Sequence, residues 1–377
     1  MYHSKNTFTT PHIQCYNYSM RVNENILISS LTTMRLGGPA RYVIEVQTPQ
    51  DVADAYGFAE QFRLRAFALG YGANTLGHDE GFNGVIIINR MQGIIEDNTW
   101  TGDTAGGSPI ELDENGGKAV AGPVQKIKVM GGEYWDNVVA HACEKGLTGI
   151  EALSKIPGLA GSAPVQNIGA NGQQLSDTLE SVDVYDTASR SYKTLSKADL
   201  HFNYRHSIFN TTERGRYFII SITLKLKPGE MPRPFYNSLE RYIADHSITD
   251  FSPQSIRQIV SAIRDTKLPD PLKVASAGSF FHNIYVSDEE AEKIEEKGYP
   301  LYRGKDGNKI NAAWLIEQCG FKGKLLHGIR VSDKAPLVLI NESAKSFNDL
   351  EKAREEIVGH VYDKFGWWLE QEPVELQ

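Results

Sequence analysis

The sequence lacks a long hydrophobic run. No apolar segment approaches the roughly 18 uninterrupted residues that a membrane helix needs. The N-terminal segment MYHSKNTFTTPHIQCYNYSM also lacks the basic start, the apolar core and the small-residue cleavage site of an export signal. These absences exclude a membrane-spanning protein, and we expect a chain that stays in the cytoplasm and binds no membrane.

Cysteine and positive charge are scarce. Cys15, Cys143 and Cys319 are too few and too far apart for a disulfide framework or a zinc knuckle, so we expect reduced thiols and no metal. The net charge is -8 and no stretch is dense in lysine and arginine, which excludes a surface for a nucleic-acid backbone. An anionic ligand must therefore be held by individual basic side chains or by backbone amides.

The length and the pattern of the chain indicate a mixture of strands and helices. At 377 residues, two or three domains are expected. The segments RYVIEV, AFALG, GVIIIN, KIKVMGG, SVDVYD and FIISITLKLK predict strands, and TPQDVADAYGFAEQF, YWDNVVAHACEKG, SPQSIRQIVSAIRDTKLPDP, INAAWLIEQCGF and NDLEKAREEIVGHVYDKFG predict helices. Polar, glycine-rich residues 97–118 predict an inserted hairpin or loop, and a break falls near residues 227–234.

Two glycine-rich segments occur in the sequence, and neither contains a complete nucleotide-binding fingerprint. In LGYGANTLGHDEGFNGVIIIN, Gly70 and Gly72 follow a strand and let the chain turn and offer amides to phosphate. Thr75 occupies the third glycine position of G-x-G-x-x-G, and no G-x-x-x-x-G-K-[ST] occurs. The second segment, GLTGIEALSKIPGLAGSAPVQNIGANG, has too many small residues for an ordinary core, so its peptide groups can lie close to a flat ligand. A plain turn and a long surface loop are the alternatives.

Two further motifs carry groups capable of chemistry. In VASAGSFFHNIYVS, Ser279 lies between an Ala-Gly pair and two phenylalanines. This position is compatible with a turn residue, a helix cap or a proton donor in a closed site. A nucleophile is disfavoured because no G-x-S-x-G elbow surrounds it. In FNYRHSIFN, Arg205 can hold a carboxylate through two parallel hydrogen bonds or form a surface salt bridge.

These segments occur in an order that resembles a known family. TTMRLGGPARYVIEV, the two glycine-rich segments, FNYRHSIFN, TKLPDP, AGSFFHN and INAAWLIEQCGFKG span residues 32 to about 372, and together they resemble the UDP-N-acetylenolpyruvoylglucosamine reductases, flavoenzymes of bacterial cell-wall synthesis. The resemblance implies an α+β fold with a two-lobed FAD-binding domain of the vanillyl-alcohol-oxidase or PCMH type. That domain would cover residues 21–230, with lobes at about 21–95 and 96–230, and a smaller α+β domain for the UDP-sugar would cover 231–377.

The resemblance also implies a reaction and the residues that perform it. A monomer would use NADPH and FAD to reduce UDP-N-acetylglucosamine enolpyruvate to UDP-N-acetylmuramate for peptidoglycan synthesis. Ser279 would donate the proton, while Arg205 and Glu372 would stabilise the enolate, with Glu370 as the alternative to Glu372. FAD would be held mostly by backbone groups of Tyr71, Gly72, Ala73, Asn74, Thr75, Ile156, Pro157, Gly158, Gly161, Gln166, Asn167, Ile168 and Gly169. The substrate would contact Tyr204, Tyr236, Arg264, Lys267 and Asn283.

One departure and two other classes of function accompany this interpretation. His282 stands where the family commonly has a lysine, so a charge that titrates near neutrality replaces a constant one. The first alternative function is another FAD-dependent oxidase or dehydrogenase of the same fold, reduced by an alcohol or a sugar. The second is a UDP-sugar-binding protein without redox activity, which would be colourless. Fold alone does not separate these classes.

Overall fold

The computed structural model describes residues 20–97, 111–112, 118–119, 124–304 and 307–376. Its strands are β1 Val22–Leu27, β2 Pro39–Val46, β3 Arg65–Leu69, β4 Thr75–Gly77, β5 Phe82–Asn89, β6 Ile94–Asp97, β7 Glu111–Leu112, β8 Lys118–Ala119, β9 Gln125–Met130, β10 Leu147–Thr148, β11 Gly169–Ala170, β12 Gln173–Gln174, β13 Leu179–Asp186, β14 Ser191–Ser196, β15 Tyr217–Pro228, β16 Ser276–Ser279, β17 Ile284–Val286, β18 Leu301–Gly304, β19 Gly307–Ile310, β20 Leu325–Leu326, β21 Ile329–Val331, β22 Val338–Asn341 and β23 Val374–Leu376. The helices are α1 Pro49–Gln61, α2 Trp135–Glu144, α3 Asn237–Asp245, α4 Pro253–Lys267, α5 Asp288–Glu296, α6 Ala312–Gln318 and α7 Phe347–Phe365. Within these ranges, no helix has the length and the apolar character to cross a bilayer.

The first lobe is a four-stranded sheet covered by one helix. The strand order is β1-β2-β5-β3, with β2, β5 and β3 parallel to one another. Helix α1 begins at Pro49 because the Thr48 hydroxyl accepts a hydrogen bond from the Asp51 amide, while the Asp51 carboxylate accepts one from the Thr48 amide. Phe58 of α1 packs edge-on against Tyr42 of β2, and both side chains are fully buried. The predicted strands and helix of this region are confirmed.

The second lobe is built on a sheet of order β14-β13-β15-β9-β6, with β10 paired to β15. Helix α2 packs its apolar face, including Val138 and Val139, against the buried side chains of β9, β13 and β15. Residues 97–118 were predicted to form a hairpin or loop: β7 and β8 pair antiparallel, and residues 98–110, 113–117 and 120–123 lie outside the described residues. The second glycine-rich segment connects α2 to β13 through short 3-10 turns.

The C-terminal part combines a helical pair with two small sheets. Helices α3 and α4 share a buried cluster with Ala152 and Met231, and α4 contacts α2 of the second lobe. The sheets have the orders β16-β22-β21-β20 and β17-β19-β18, and α6 and α7 pack against the first of them. Because α3 and α4 pack on the second lobe although they follow residue 230, the division of the chain at residue 231 stays a prediction.

The end of the described chain returns to the first lobe. Strand β23 pairs in parallel with β4, the strand that directly follows the GYGANT turn, and Val374 donates its amide to the Asn74 carbonyl at 2.9 Å. The connection before β23 pairs with the segment after β16, since the Glu372 amide donates to the Phe280 carbonyl at 2.9 Å and the His282 amide to the Glu370 carbonyl at 2.9 Å. These backbone contacts join the first lobe to the C-terminal part next to the segment that follows β16.

Candidate active site

A cavity of about 750 Å³ is lined by residues of both lobes and of the C-terminal part. This volume falls in the range of roughly 300–1,000 Å³ that is typical of small-molecule and cofactor sites. Its walls include the residues of the GYGANT turn, part of the second glycine-rich segment, and side chains of β3, β15 and the C-terminal region. Eleven of the thirteen residues predicted to hold FAD line this cavity: Tyr71, Gly72, Ala73, Asn74, Thr75, Ile156, Pro157, Gly158, Gly161, Gln166 and Ile168.

The GYGANT turn approaches its neighbours too closely for larger residues. Gly72 has a φ of +73°, and a Cβ built there would lie 2.2 Å from the Leu31 carbonyl oxygen. A Cβ on Gly70 would lie 2.0 Å from the Ser162 hydroxyl oxygen, on the second glycine-rich segment. The two segments therefore form one continuous wall of backbone, which fits a flat ligand with a phosphate group better than a wall of large side chains does.

The second segment is compact rather than an open loop. The amides of Ser162, Ala163 and Val165 donate to carbonyls three residues earlier within the segment, and the Gly161 amide donates to the Gly131 carbonyl at 2.9 Å. A Cβ on Gly161 would meet that same carbonyl oxygen at 2.9 Å. Since these amides are already bonded, the alternative of a structureless surface loop is wrong, and the segment presents a rigid face to the cavity.

Asn167 and Gly169 do not lie in the cavity wall, so the structure gives no support to their predicted contact with FAD. The Asn167 side chain is buried and donates to the Asn203 carbonyl at 3.2 Å, while its own carbonyl oxygen accepts from the Ser176 amide at 2.9 Å. The main-chain carbonyl of Gly169 accepts from the Arg205 guanidinium at 2.7 Å. The polar groups of these two residues therefore form hydrogen bonds that hold the loop carrying Arg205.

Arg205 lies at the tip of a tight turn. Asn203 and His206 exchange backbone hydrogen bonds at 3.1 Å, and Arg205 between them has a φ of +55°. Its guanidinium is held by the Gly169 carbonyl, contacts the Tyr204 ring at 5.0 Å, and places Nε 3.9 Å from Glu372 Oε1. The guanidinium is thus fixed before any ligand arrives, which is the condition for stabilising a charge that develops during a reaction.

Glu372 joins Arg205 and the glycine-rich segments at the cavity wall. Gln166 donates to Glu372 Oε1 at 3.4 Å, and Asn74 donates to Gln166 Oε1 at 3.0 Å. The Glu372 side chain is 14% exposed, and burial raises its pKa, while Arg205 and Gln166 act in the opposite direction. Glu370 is exposed and is absent from the cavity wall, although it lies on the same short segment. The geometry therefore favours Glu372 over Glu370 as the carboxyl group that faces a ligand.

Ser279 is the last residue of strand β16 and is not among the residues that line the cavity. Gly278 before it has a φ of +73°, and a Cβ there would meet no atom within 4 Å, so the backbone faces open space. After it, the carbonyl of Phe280 accepts the Glu372 amide. Phe280 and Phe281 are buried in the core of the C-terminal part, with ring centroids 5.1 Å apart, and do not line the cavity. The two rings therefore anchor the strand that carries Ser279 and do not screen the cavity from water.

The predicted substrate residues lie in two places. Tyr204 and Tyr236 lie beside further aromatic rings of β17 and β18, since Tyr204 is 5.2 Å from Tyr285 and Tyr236 is 6.5 Å from Tyr302 between centroids. Lys309 Nζ lies 4.7 Å from the Tyr204 ring centroid and 4.9 Å from that of Tyr302. Sequence reasoning missed Tyr285, Tyr302 and Lys309, because only the strand pairing of β17, β18 and β19 brings them together.

The remaining three predicted substrate residues are apart from the cavity wall. Arg264 and Lys267 lie on α4; burial lowers the pKa of Arg264 to about 10, and Lys267 is exposed. Asn283 accepts a hydrogen bond from the Ala312 amide at 3.1 Å, at the start of α6. Like Tyr204 and Tyr236, none of the three lines the cavity in the part of the chain that the structure describes, so the contact of all five residues with a substrate stays a prediction.

Several residues of the cavity wall carried no functional assignment from the sequence. They are Arg65 and Phe67 on β3, Ser162 in the second glycine-rich segment, Arg214 in the loop before β15, Tyr217 at the start of β15, and Glu375 on β23. The alternation of Arg65 and Phe67 directly before the GYGANT turn is a signal that could have found them, since residues two apart on a strand share a face. Arg214 lies in a loop and has no such signal.

Comparison with known proteins agrees with this architecture. Residues 40–194 match the family model described as FAD binding domain, and residues 270–376 match that described as UDP-N-acetylenolpyruvoylglucosamine reductase, C-terminal domain. A crystal structure of the reductase of that name from Thermus caldophilus covers 95% of this chain and all of its own, with a TM-score of 0.62 at 22% identity. The predicted fold class is confirmed as an α+β protein with a two-lobed FAD-binding domain and a smaller C-terminal part.

Fold and cavity together define an FAD-dependent oxidoreductase. Curated relatives named UDP-N-acetylenolpyruvoylglucosamine reductase include those of Neisseria gonorrhoeae, 33% identical over 92% of this chain and 95% of the relative, and Neisseria meningitidis, 36% identical over the same shares. The relative from Alcanivorax borkumensis is 40% identical over 65% of this chain and 71% of its own length. The chain belongs to the UDP-N-acetylenolpyruvoylglucosamine reductase family.

Proposed function

We propose that the protein reduces the enolpyruvyl group of UDP-N-acetylglucosamine enolpyruvate to the lactyl ether of UDP-N-acetylmuramate, with NADPH as the reductant, in the cytoplasm and as a monomer. The product is a precursor of peptidoglycan. The observation that carries this proposal is that the side chains of Arg205 and Glu372 lie 3.9 Å apart at the cavity wall. The backbone carbonyl of Phe280, the residue after Ser279, accepts a hydrogen bond from the Glu372 amide. A cation, a buried carboxyl group and a hydroxyl group are what an enolate and its protonation require.

The residues present fit FAD. The backbone wall of the GYGANT turn and the second glycine-rich segment would lie against the pyrophosphate and the isoalloxazine ring. FAD bound there would supply the chemistry of hydride transfer from NADPH to the β carbon of the enolpyruvyl group. The chain itself supplies the enclosure, the fixed charges and the proton.

The polar end of the cavity would act on the other half of the substrate. As the β carbon gains a hydride, negative charge spreads onto the substrate carboxylate, and the fixed guanidinium of Arg205 would stabilise it. Glu372 with its raised pKa would donate a hydrogen bond as a neutral carboxyl group. The Ser279 hydroxyl would place its proton on the α carbon, so that one hydride and one proton saturate the double bond.

The aromatic cluster of Tyr204, Tyr236, Tyr285 and Tyr302 would receive the nucleotide. These rings offer flat faces on which a uracil base can stack, and Lys309 among them carries a charge that suits a diphosphate. The cluster reaches the catalytic residues through Tyr204, which precedes Arg205. A long substrate could therefore span from the cluster to the cavity.

The purified protein is expected to carry tightly but noncovalently bound FAD. Backbone groups dominate the predicted cofactor segments, and hydrogen bonds to backbone do not survive denaturation. Acid precipitation should therefore release all of the yellow colour into the supernatant, where it can be identified as FAD by its spectrum and chromatographic mobility. Colour that stays with the pellet, or a colourless protein that added FAD cannot restore, would contradict the prediction.

An anaerobic titration tests the proposed function. Addition of NADPH is expected to bleach the flavin, and subsequent addition of UDP-N-acetylglucosamine enolpyruvate is expected to restore its colour with stoichiometric formation of UDP-N-acetylmuramate. Bleaching by an alcohol or a sugar but not by NADPH would indicate another oxidase or dehydrogenase of this fold. A flavin that NADPH reduces and the enolpyruvyl substrate fails to reoxidise would remove the proposed substrate.

A further inference from the structure

His282 is a titratable group in the cavity wall with no assigned role in the reaction. Its side chain lines the cavity together with Arg205 and Glu372, and is 28% exposed. Its position is fixed by the backbone, because the His282 amide donates to the Glu370 carbonyl at 2.9 Å. Nδ1 of the ring lies 3.6 Å from Glu372 Oε2, which is longer than a hydrogen bond and within the distance at which a charge on one group would act on the other.

The charged groups around His282 come from two elements. Arg205 and His206 face it from the turn at residues 203–206, and Glu370 and Glu372 face it from the segment before β23. Burial lowers the pKa of His282, and Arg205 and His206 lower it further, while Glu370 acts in the opposite direction. Both members of the pair are thus pushed toward their neutral forms, since burial raises the pKa of Glu372.

We propose that the charge of His282 controls the protonation state of Glu372: the neutral imidazole allows Glu372 to keep its proton at the cavity wall while the substrate is reduced. A cation at position 282 would favour the ionised carboxylate 3.6 Å away, and an ionised Glu372 would repel the enolate instead of donating a hydrogen bond to it. His282 acts through Glu372 and is therefore a positioning residue. This inference rests on the proposed function for its catalytic consequence, and on the 3.6 Å approach of the two largely buried side chains for the coupling between them.

The coupling is measured on the holoenzyme with oxidised flavin and without substrate. The carbonyl stretch of the protonated Glu372 carboxyl, assigned by its loss in Glu372→Gln, is followed by infrared spectroscopy against pH, and the charge of His282 is followed by nitrogen NMR. In the parent protein we expect neutral His282 throughout the pH range in which Glu372 loses its proton. His282→Lys should lower the apparent pKa of Glu372 by about 1 unit or more, and His282→Gln should leave it unchanged.

The catalytic consequence is measured in the two half-reactions. The pH above which reoxidation by the enolpyruvyl substrate slows should fall in His282→Lys by the same amount as the Glu372 pKa, and flavin reduction by NADPH should keep its pH dependence. His327→Lys is the matched control, because His327 also lies close to a glutamate, 3.3 Å from Glu356, with both side chains exposed. This control should change neither quantity.

Three results would overturn the proposal. They are a protonated His282 beside an ionised Glu372 in the parent, a Glu372 pKa that His282→Lys does not move, and a moved pKa that leaves the pH dependence of reoxidation in place. A simple structural role of His282 would slow both half-reactions at every pH. If the parent flavin is not reoxidised by the enolpyruvyl substrate at all, the proposed function fails, while the spectroscopic titration still tests the coupling.

Discussion

Replacement of Ser279 by alanine is expected to separate the two half-reactions. Reduction of the flavin by NADPH involves no proton at the α carbon of the substrate and should proceed nearly as fast as in the parent. Reoxidation by the enolpyruvyl substrate needs that proton, and loss of a positioned donor typically costs about 10² to 10⁴-fold. Stopped-flow absorbance of each half-reaction, with deuterated solvent to report the protonation step, measures both rates.

The variant should fold, because Ser279 is followed by the two buried phenylalanines that anchor its strand and alanine removes only a hydroxyl group. Ser279→Cys keeps a proton donor in place and should recover part of the rate. Ser189→Ala serves as a control, since Ser189 is exposed, bonds only nearby residues of its own turn, Asp186 and Ser191, among the contacts described, and does not line the cavity. Equal slowing of reduction and reoxidation in Ser279→Ala would make the serine a structural residue.

Arg205→Lys is expected to lower the rate of reoxidation by about 10²-fold, the lower end of the loss found when one donor to a developing negative charge is removed. The lysine keeps the positive charge, so much of the substrate affinity should remain and the change should fall on kcat more than on KM. It cannot keep the planar two-bond geometry, nor the contact of the guanidinium with the Gly169 carbonyl at 2.7 Å. Steady-state kinetics and substrate binding to the oxidised protein measure the two effects separately.

An exposed arginine gives the matched control for this substitution. Arg303 donates two hydrogen bonds to the Glu295 carboxylate, and neither residue lines the cavity. Arg303→Lys should leave turnover unchanged, because exposed ion pairs contribute little. Unchanged turnover in Arg205→Lys as well would remove Arg205 from the mechanism.

The site is assembled from segments that are far apart in the chain. The Glu372 side chain lies next to Gln166, Arg205 and His282, which come from three different segments. Two backbone hydrogen bonds hold the segment of Glu372 itself: the Glu372 amide donates to Phe280 and the Val374 amide donates to Asn74. The carboxyl position therefore depends on the parallel pairing of β23 with β4. A substitution that disturbs this pairing would displace the Glu372 carboxyl group even if it changes no residue in contact with that group.

Local patterns in the sequence predicted several of the strands and helices, and the family resemblance predicted the fold class. Alternation in RYVIEV and helical spacing in TPQDVADAYGFAEQF predict β2 and α1, because side-chain period and capping at Thr48 are properties of neighbouring residues. The glycine-rich segments, together with the family resemblance, predict the FAD-binding domain and about half of the residues that line the cavity. Arg205, Ser279 and Glu372 became candidates through the same resemblance.

Only the tertiary structure decided which of these residues meet and what surrounds them. The burial of Phe280 and Phe281 in a separate core, the turn of the Asn167 side chain away from the cavity, and the 3.6 Å approach of His282 to Glu372 all depend on contacts between distant segments. The same holds for the choice between Glu370 and Glu372, which lie two residues apart and differ in burial. Local periodicity determines which face of a strand or helix is apolar, whereas the neighbours of a polar group, and with them its charge state, are set by packing across the whole chain.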